Sequence, residues 1–152
     1  MSGDKTEGRA IEVELFGTGA LGERAPARES VRRLCVLAAA AAGVGEGHVA
    51  IEFVDSGRIA ELNAEHRGRR GPTDVLSFPV DGAAPTDGAP RELGDVVICA
   101  EHTEDLHEAI VHGVLHLVGM DHETDAGEME AVQAELLRWE CLPSARASRT
   151  RP

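Results

Sequence analysis

Gly94-Asp95-Val96-Val97-Ile98-Cys99 and, a short way on, His112-Gly113-Val114-Leu115-His116-Leu117-Val118-Gly119-Met120-Asp121-His122 are the stretches that decide the fold of this chain. The first is an apolar run of β-formers and reads as a strand. The second closes a helix expected over roughly Thr103 to Val118, with an apolar stripe of Leu106, Ile110, Val114, Leu117 and Val118. The face turned away from that stripe carries Glu108, His112 and His116. Residues four apart on a helix lie one turn from each other on the same side. The helix is therefore held by its core face while the histidines stand at a cleft edge. Gly119 can stop the helix in a left-handed conformation that other residues resist, and the chain can then bring His122 back towards the first two. Three neutral imidazoles and one vacant position describe a catalytic zinc site with one ion per chain. The competing reading is a hydrogen-bonded histidine cluster.

The pattern H-x-x-x-H-x-x-G-x-x-H is similar to the ligand spacing of the metzincin proteases, which carry a glutamate general base directly after the first histidine. Gly113 occupies that position here and can move no proton. The spacing keeps the metal and discards the protease's base, which weighs against a metalloprotease.

Working outward, Ile11–Phe16 alternates and reads as a half-buried strand, followed by a turn over Gly17–Gly22. Pro26 opens a helix running to about Ala42. His48–Val54 alternates again, and Asp55 or Ser56 is placed to cap a short helix ending near Glu65. Asp74–Val80 reads as a strand, and Asp81–Glu92, rich in Gly, Pro and Ala, as a mobile loop. Asp125 and Glu128 resemble a capping box for a last helix, packed through Met129, Val132, Leu136 and Trp139 and closed by Pro143. The order βαβαββαα gives an α+β fold, a mixed four-stranded sheet packed with about four helices in a metal-hydrolase-like single domain. Its bounds are 11–142, with a disordered N-terminus at 1–10 and a disordered basic tail at 143–152.

A chain of 152 residues suits one domain with a real core. Aromatics are only 3%, so that core is built from Leu, Val, Ile and Ala. Cys35, Cys99 and Cys141 form no C-x-x-C pair, so neither a thiolate zinc site nor a disulfide framework is suggested; Cys35 and Cys99 read as small buried hydrophobes, which fits a reducing cytoplasm. The polar Met1–Arg9 is no signal peptide, and no apolar run is long enough for a bilayer, so no membrane role is expected. The net charge of −12 argues against generic nucleic-acid binding. Its distribution matters more than its sum: His66-Arg67-Gly68-Arg69-Arg70 is a compact basic patch in an otherwise acidic chain.

Three further segments now join the histidine motif. They are Leu62-Asn63-Ala64-Glu65-His66-Arg67-Gly68, Pro72-Thr73-Asp74-Val75-Leu76-Ser77-Phe78-Pro79 and Leu93-Gly94-Asp95-Val96-Val97-Ile98. Together they resemble the YbeY family of bacterial endoribonucleases and rRNA maturation factors, over roughly residues 11 to 140. The resemblance implies a zinc ion on His112, His116 and His122, and an arginine, Arg67, lining the cleft and needed for activity. It implies single-stranded RNA as substrate, with no DNA, and roles in small-subunit rRNA 3′-end maturation and ribosome quality control. The implied partners are rRNA, the small ribosomal subunit and its proteins. The chain departs from the family pattern at His66 and Met120, where aromatic residues are usual, and in a shortened segment 101–111.

A three-histidine zinc with an open position lowers the pKa of bound water to about 7 and polarises a phosphoryl oxygen. Arg67 is the best candidate to stabilise the developing charge, because a guanidinium pairs two phosphate oxygens. Arg69 and Arg70 are backbone contacts to RNA or simply solvated. Asp121 either orients a ligand histidine from behind or caps the turn after Gly119. No general base stands out, so either the zinc hydroxide or the RNA's own 2′-hydroxyl attacks. The rival reading is a non-catalytic ribosome-assembly factor with a structural zinc.

Overall fold

Alternating side chains set the sheet. In β1 (Ile11–Phe16) and β2 (Gly47–Val54), Ile11, Val49, Ile51 and Phe53 turn to one face and are buried, while Glu12, Glu14 and Glu52 turn to the other and are exposed. The chain continues through β3 (Val75–Pro79) and β4 (Glu92–Cys99) to make one sheet in the order β1-β2-β4-β3. β1 pairs with β2 and β2 with β4 in parallel; β3 pairs with β4 antiparallel, which makes the sheet mixed. This is a computed structural model, and it describes residues 10–81, 91–120 and 127–149, with side chains as far as 138.

β4 is buried on both faces, as a central strand flanked by β2 and β3 must be. Val96 and Ile98 face a core formed with α1 (Arg28–Ala40), α3 (Leu106–Leu117) and α4 (Glu128–Arg149). Val97 and Cys99, one residue out of phase, face a smaller cluster with Leu76 and with Ile59 of α2 (Ser56–Arg67). The first core is aliphatic as expected, filled by Leu34, Ile51, Ile110 and Leu115. Cys35 is wholly buried in it, and burial pushes its thiol up to about 12, so it stays a small apolar group.

The α+β architecture and the mixed sheet agree with the sequence reading. Some boundaries do not. The helix expected from Thr103 begins at Leu106, after a 3-10 turn at Ala100–His102. Two contacts explain the delay. Asp105 is the N-cap, its carboxylate accepting from the Glu108 amide at 3.1 Å. Arg24 donates to the carbonyls of Ala100 at 2.8 Å and Thr103 at 2.7 Å, bracing the 3-10 turn that precedes the cap. The turn at Gly17–Gly22 is a 3-10 segment, Thr18–Arg24. α2 runs two residues beyond the expected Glu65, to Arg67, where Gly68 caps it at φ 65°. The backbone of α4 continues through Pro143, where the sequence places its end. Proline withholds one amide donor, but its φ suits a helix, so it is no absolute stop. Asp125, the expected capping residue, lies outside the described residues.

Candidate functional site

α3 owes its position to its apolar side. Ile110, Val114 and Leu117 are buried against the sheet and its neighbours, which leaves His112 and His116 half-buried on the other flank. Gly113 is buried too, and a Cβ there would lie 2.4 Å from Val96 Cγ1. The position that holds the base in metzincins is thus pressed onto β4 and faces away from the cleft. Ser77 of β3 donates its hydroxyl to the Gly113 carbonyl at 3.0 Å, tying the edge strand to the same turn of helix. The helix ends as expected. Gly119 takes φ 102°, its amide donates to His116 at 3.1 Å, and the Met120 amide donates to Leu115 at 3.0 Å. These two bonds are a Schellman closure, satisfying carbonyls at the helix end that would otherwise lack partners.

The two imidazoles meet through their Nε2 atoms, 3.2 Å apart. Two nitrogens held at about 2.0–2.1 Å by one tetrahedral zinc are themselves roughly 3.3 Å apart, so the pair has the spacing of two ligands on one ion. The far nitrogen of His112, Nδ1, lies 3.0 Å from Oε1 of Gln133 on α4. The Gln133 amide nitrogen in turn donates to Glu108 at 3.2 Å. His122 and Asp121, the third ligand and the supporting carboxylate of the sequence reading, lie outside the described residues.

Around the histidines opens a cleft of about 640 Å³, whose lining includes Arg67, Arg69, Arg70, Asp74, His112 and His116. The three arginines are exposed and make no ion pair with any described residue. Their loop is anchored from below. Asn63, 5% exposed on α2, donates its side-chain amide to the Gly71 carbonyl at 2.9 Å, and its backbone carbonyl accepts from Arg69. A second cavity, about 410 Å³, adjoins across His112, Asp74 and Val75 and is lined with Glu104, Asp105, Glu108 and Glu130. The cleft therefore has a cationic arm and an acidic arm, with the histidine pair between them. Asp74 turns its carboxylate onto its own turn, accepting from the Val75 amide at 2.8 Å. His66, exposed on one side and near Glu65, lies edge-on to Phe78 with ring centres 4.9 Å apart.

Residues 23–139 match the family model of endoribonuclease YbeY. The chain belongs to the endoribonuclease YbeY family. A relative named endoribonuclease YbeY from Bradyrhizobium sp. is 39% identical over 83% of this chain and 86% of its own length. One from Alkalilimnicola ehrlichii is 37% identical over 84% of this chain and 86% of its own length, and one from Moorella thermoacetica is 39% identical over 71% and 83%. A solution structure from Thermotoga maritima superposes with a TM-score of 0.51 at 22% identity, covering 92% of this chain and 95% of that one, which shows a shared fold.

In this YbeY chain two site residues escape the sequence reading. Asn63 stood inside a family segment with no role given to it, although a polar residue one turn from Ile59 on the inward side of α2 was a signal that it is buried. Gln133 gave no signal at all. It falls beside Val132 on the last helix, and only the packing of α4 on α3 brings it to His112.

Proposed function

We propose that this chain is a zinc-dependent endoribonuclease acting on single-stranded RNA, working in small-subunit rRNA 3′-end maturation and ribosome quality control. The observation that carries this reading is that two histidines at ligand spacing and three arginines with no ion pair among the described residues open onto one cleft. His112, His116 and His122 would hold the ion. When bound, zinc supplies a Lewis acid for a phosphoryl oxygen and a water of lowered pKa. The remaining work falls to the chain. Arg67 pairs phosphate oxygens and takes up the charge that develops as the phosphodiester is attacked. Arg69 and Arg70 hold flanking backbone phosphates. The acidic arm repels phosphates from the other side, so the strand is placed by attraction and exclusion together. rRNA in the small ribosomal subunit is the expected substrate, with the subunit's proteins supplying contact area that the acidic surface of this chain does not give to RNA directly.

The test is purified protein on single-stranded RNA, with and without a chelator, beside His116→Ala. Cleavage abolished by the chelator, restored by zinc and absent from the folded His116→Ala variant is expected. Binding to small subunits with chelator-insensitive, His116-independent RNA integrity would instead show a ribosome-binding factor with no catalytic role.

A further inference from the structure

The histidine pair depends on hydrogen bonding beyond the two rings, and its direction follows from the chemistry of each partner. A carboxylate only accepts. The group of Gln133 that lies 3.2 Å from Glu108 Oε2 is therefore its NH₂, and the amide oxygen is left facing His112 Nδ1 at 3.0 Å. An amide oxygen also only accepts, so Nδ1 must carry the hydrogen. A neutral imidazole has one hydrogen on its two nitrogens, and the lone pair of His112 is then on Nε2. Nε2 is the atom that stands 3.2 Å from Nε2 of His116. The chain Glu108–Gln133–His112 thus sets which nitrogen of His112 is a lone-pair donor, and it does so across two consecutive helices, α3 and α4.

We propose that Gln133 is a positioning residue, with Glu108 behind it, that locks His112 in the Nδ1–H form with its Nε2 lone pair aimed at the site. The proposal rests on the metal-site reading in what the lone pair is for, but the tautomer itself is a property of the protein without metal. Without Gln133 the Nδ1 nitrogen loses this acceptor, and the hydrogen can move to Nε2, where it blocks ligation. Partners of this kind, when removed, cost 10–100-fold in metal affinity in known sites. Glu108 acts one step further back: without it the Gln133 amide can flip and offer its NH₂ to Nδ1, which reverses the tautomer.

Two measurements on the full chain separate this proposal from the function it serves. Ring ¹⁵N NMR of the metal-free protein, with His112 neutral, reads the tautomer directly. Zinc affinity is read by competition with a chromogenic chelator. Gln133→Met keeps the size of the side chain and removes the acceptor; Gln133→Glu keeps an acceptor at the same place. We expect Nδ1–H at His112 in the native protein, a mixed or reversed tautomer in Gln133→Met, and a 10–100-fold weaker zinc affinity in that variant with thermal stability of the metal-free form unchanged. Gln133→Glu made together with Glu108→Gln, which exchanges the amide and the carboxylate and avoids two facing carboxylates, should return the Nδ1–H form and most of the affinity. Glu108→Ala should give a smaller loss than Gln133→Met. An Nε2–H His112 in the native protein, or a Gln133→Met variant that binds zinc as tightly as the native chain, overturns the proposal. A native chain with the Nδ1–H form but no zinc affinity would overturn the metal-site reading and leave the positioning role standing.

Discussion

Three single residues carry separate tests. Arg67 is exposed and free of described ion pairs, so its loss costs the fold little. Arg67→Ala should keep its fold and metal and lose a few kcal/mol of transition-state stabilisation, roughly a hundredfold or more in cleavage rate. Unchanged turnover by a folded, zinc-loaded variant would make it a surface residue only. At Gly113 the ordinary helix preference is reversed. Glycine to alanine inside a helix usually stabilises by about 1 kcal/mol, but here the new methyl meets Val96 at 2.4 Å. Overpacking of that kind costs about 1–3 kcal/mol, so Gly113→Ala should melt lower than the native chain, and Gly113→Glu lower still. A raised melting temperature in Gly113→Ala would show that α3 and β4 can part without cost. His48 sits between Glu92, 2.9 Å from Nδ1, and Glu14, 2.8 Å from Nε2. The Glu92 hydrogen bond above all, opposed by partial burial and helped by Glu14, raises its pKa above the ordinary histidine value. A raised folded pKa gives stability that is whole below the unfolded value, about 6.5, and is lost as pH rises through the folded value. The melting-point gap between native chain and His48→Gln should be widest below about pH 6 and should close on the alkaline side. A gap independent of pH would mean that the bridge carries no charge.

At the scale of elements, the loop after α2 is where the proposed RNA contacts can be tested through the fold. Asn63 is the one buried polar side chain among the described residues, and its bond to Gly71 closes the loop that carries Arg69 and Arg70. Asn63→Ala removes the bond that pins the exposed Gly71, whose carbonyl can then turn to water, so the loop loosens at a cost of about 1 kcal/mol. RNA affinity should fall in this variant although no arginine has changed, and a urea titration run beside the binding assay separates the two effects. Unaltered RNA affinity in a folded Asn63→Ala protein would show that the arginines need no anchor. The elements themselves were legible because their signals are local. Period-two alternation gave β1 and β2, the apolar run gave β4, and the stripe from Leu106 to Val118 gave α3 with its histidine face. Gly119 was legible as a helix stop because the left-handed conformation selects its residue type. The start of α3 was not, since Arg24, some 76 residues from Ala100, braces the turn before it. Nor was the inward turn of Gly113. Helical period gives a face, but it does not say how closely that face will meet Val96. Gln133 needed the α3–α4 packing to be known first.

The whole molecule carries 27 acidic residues against 15 lysines and arginines. Binding to free RNA should therefore be weak and governed by the arginine arm alone. If that arm makes about three phosphate contacts, log K falls with log[salt] at a slope near −2 on single strands. Comparing free RNA with small subunits at one salt concentration checks this, and tight, salt-insensitive binding to free RNA would show that stacking or base readout carries the affinity. No helix among the described residues is long and apolar enough to cross a membrane. The loop from Gly68 to Gly71 also bears on how RNA arrives. A polyanion diffusing towards this acidic molecule meets repulsion over most of its approach, and the arginines of that loop offer attraction beside the histidine cleft. If the proposed RNA site is right, approaches from other bearings are disfavoured, and RNA that reaches the cleft is oriented with its phosphates towards the loop. On that reading, selectivity would be exercised at the encounter, as a filter on trajectories, and would show as an association rate that rises steeply as salt is lowered.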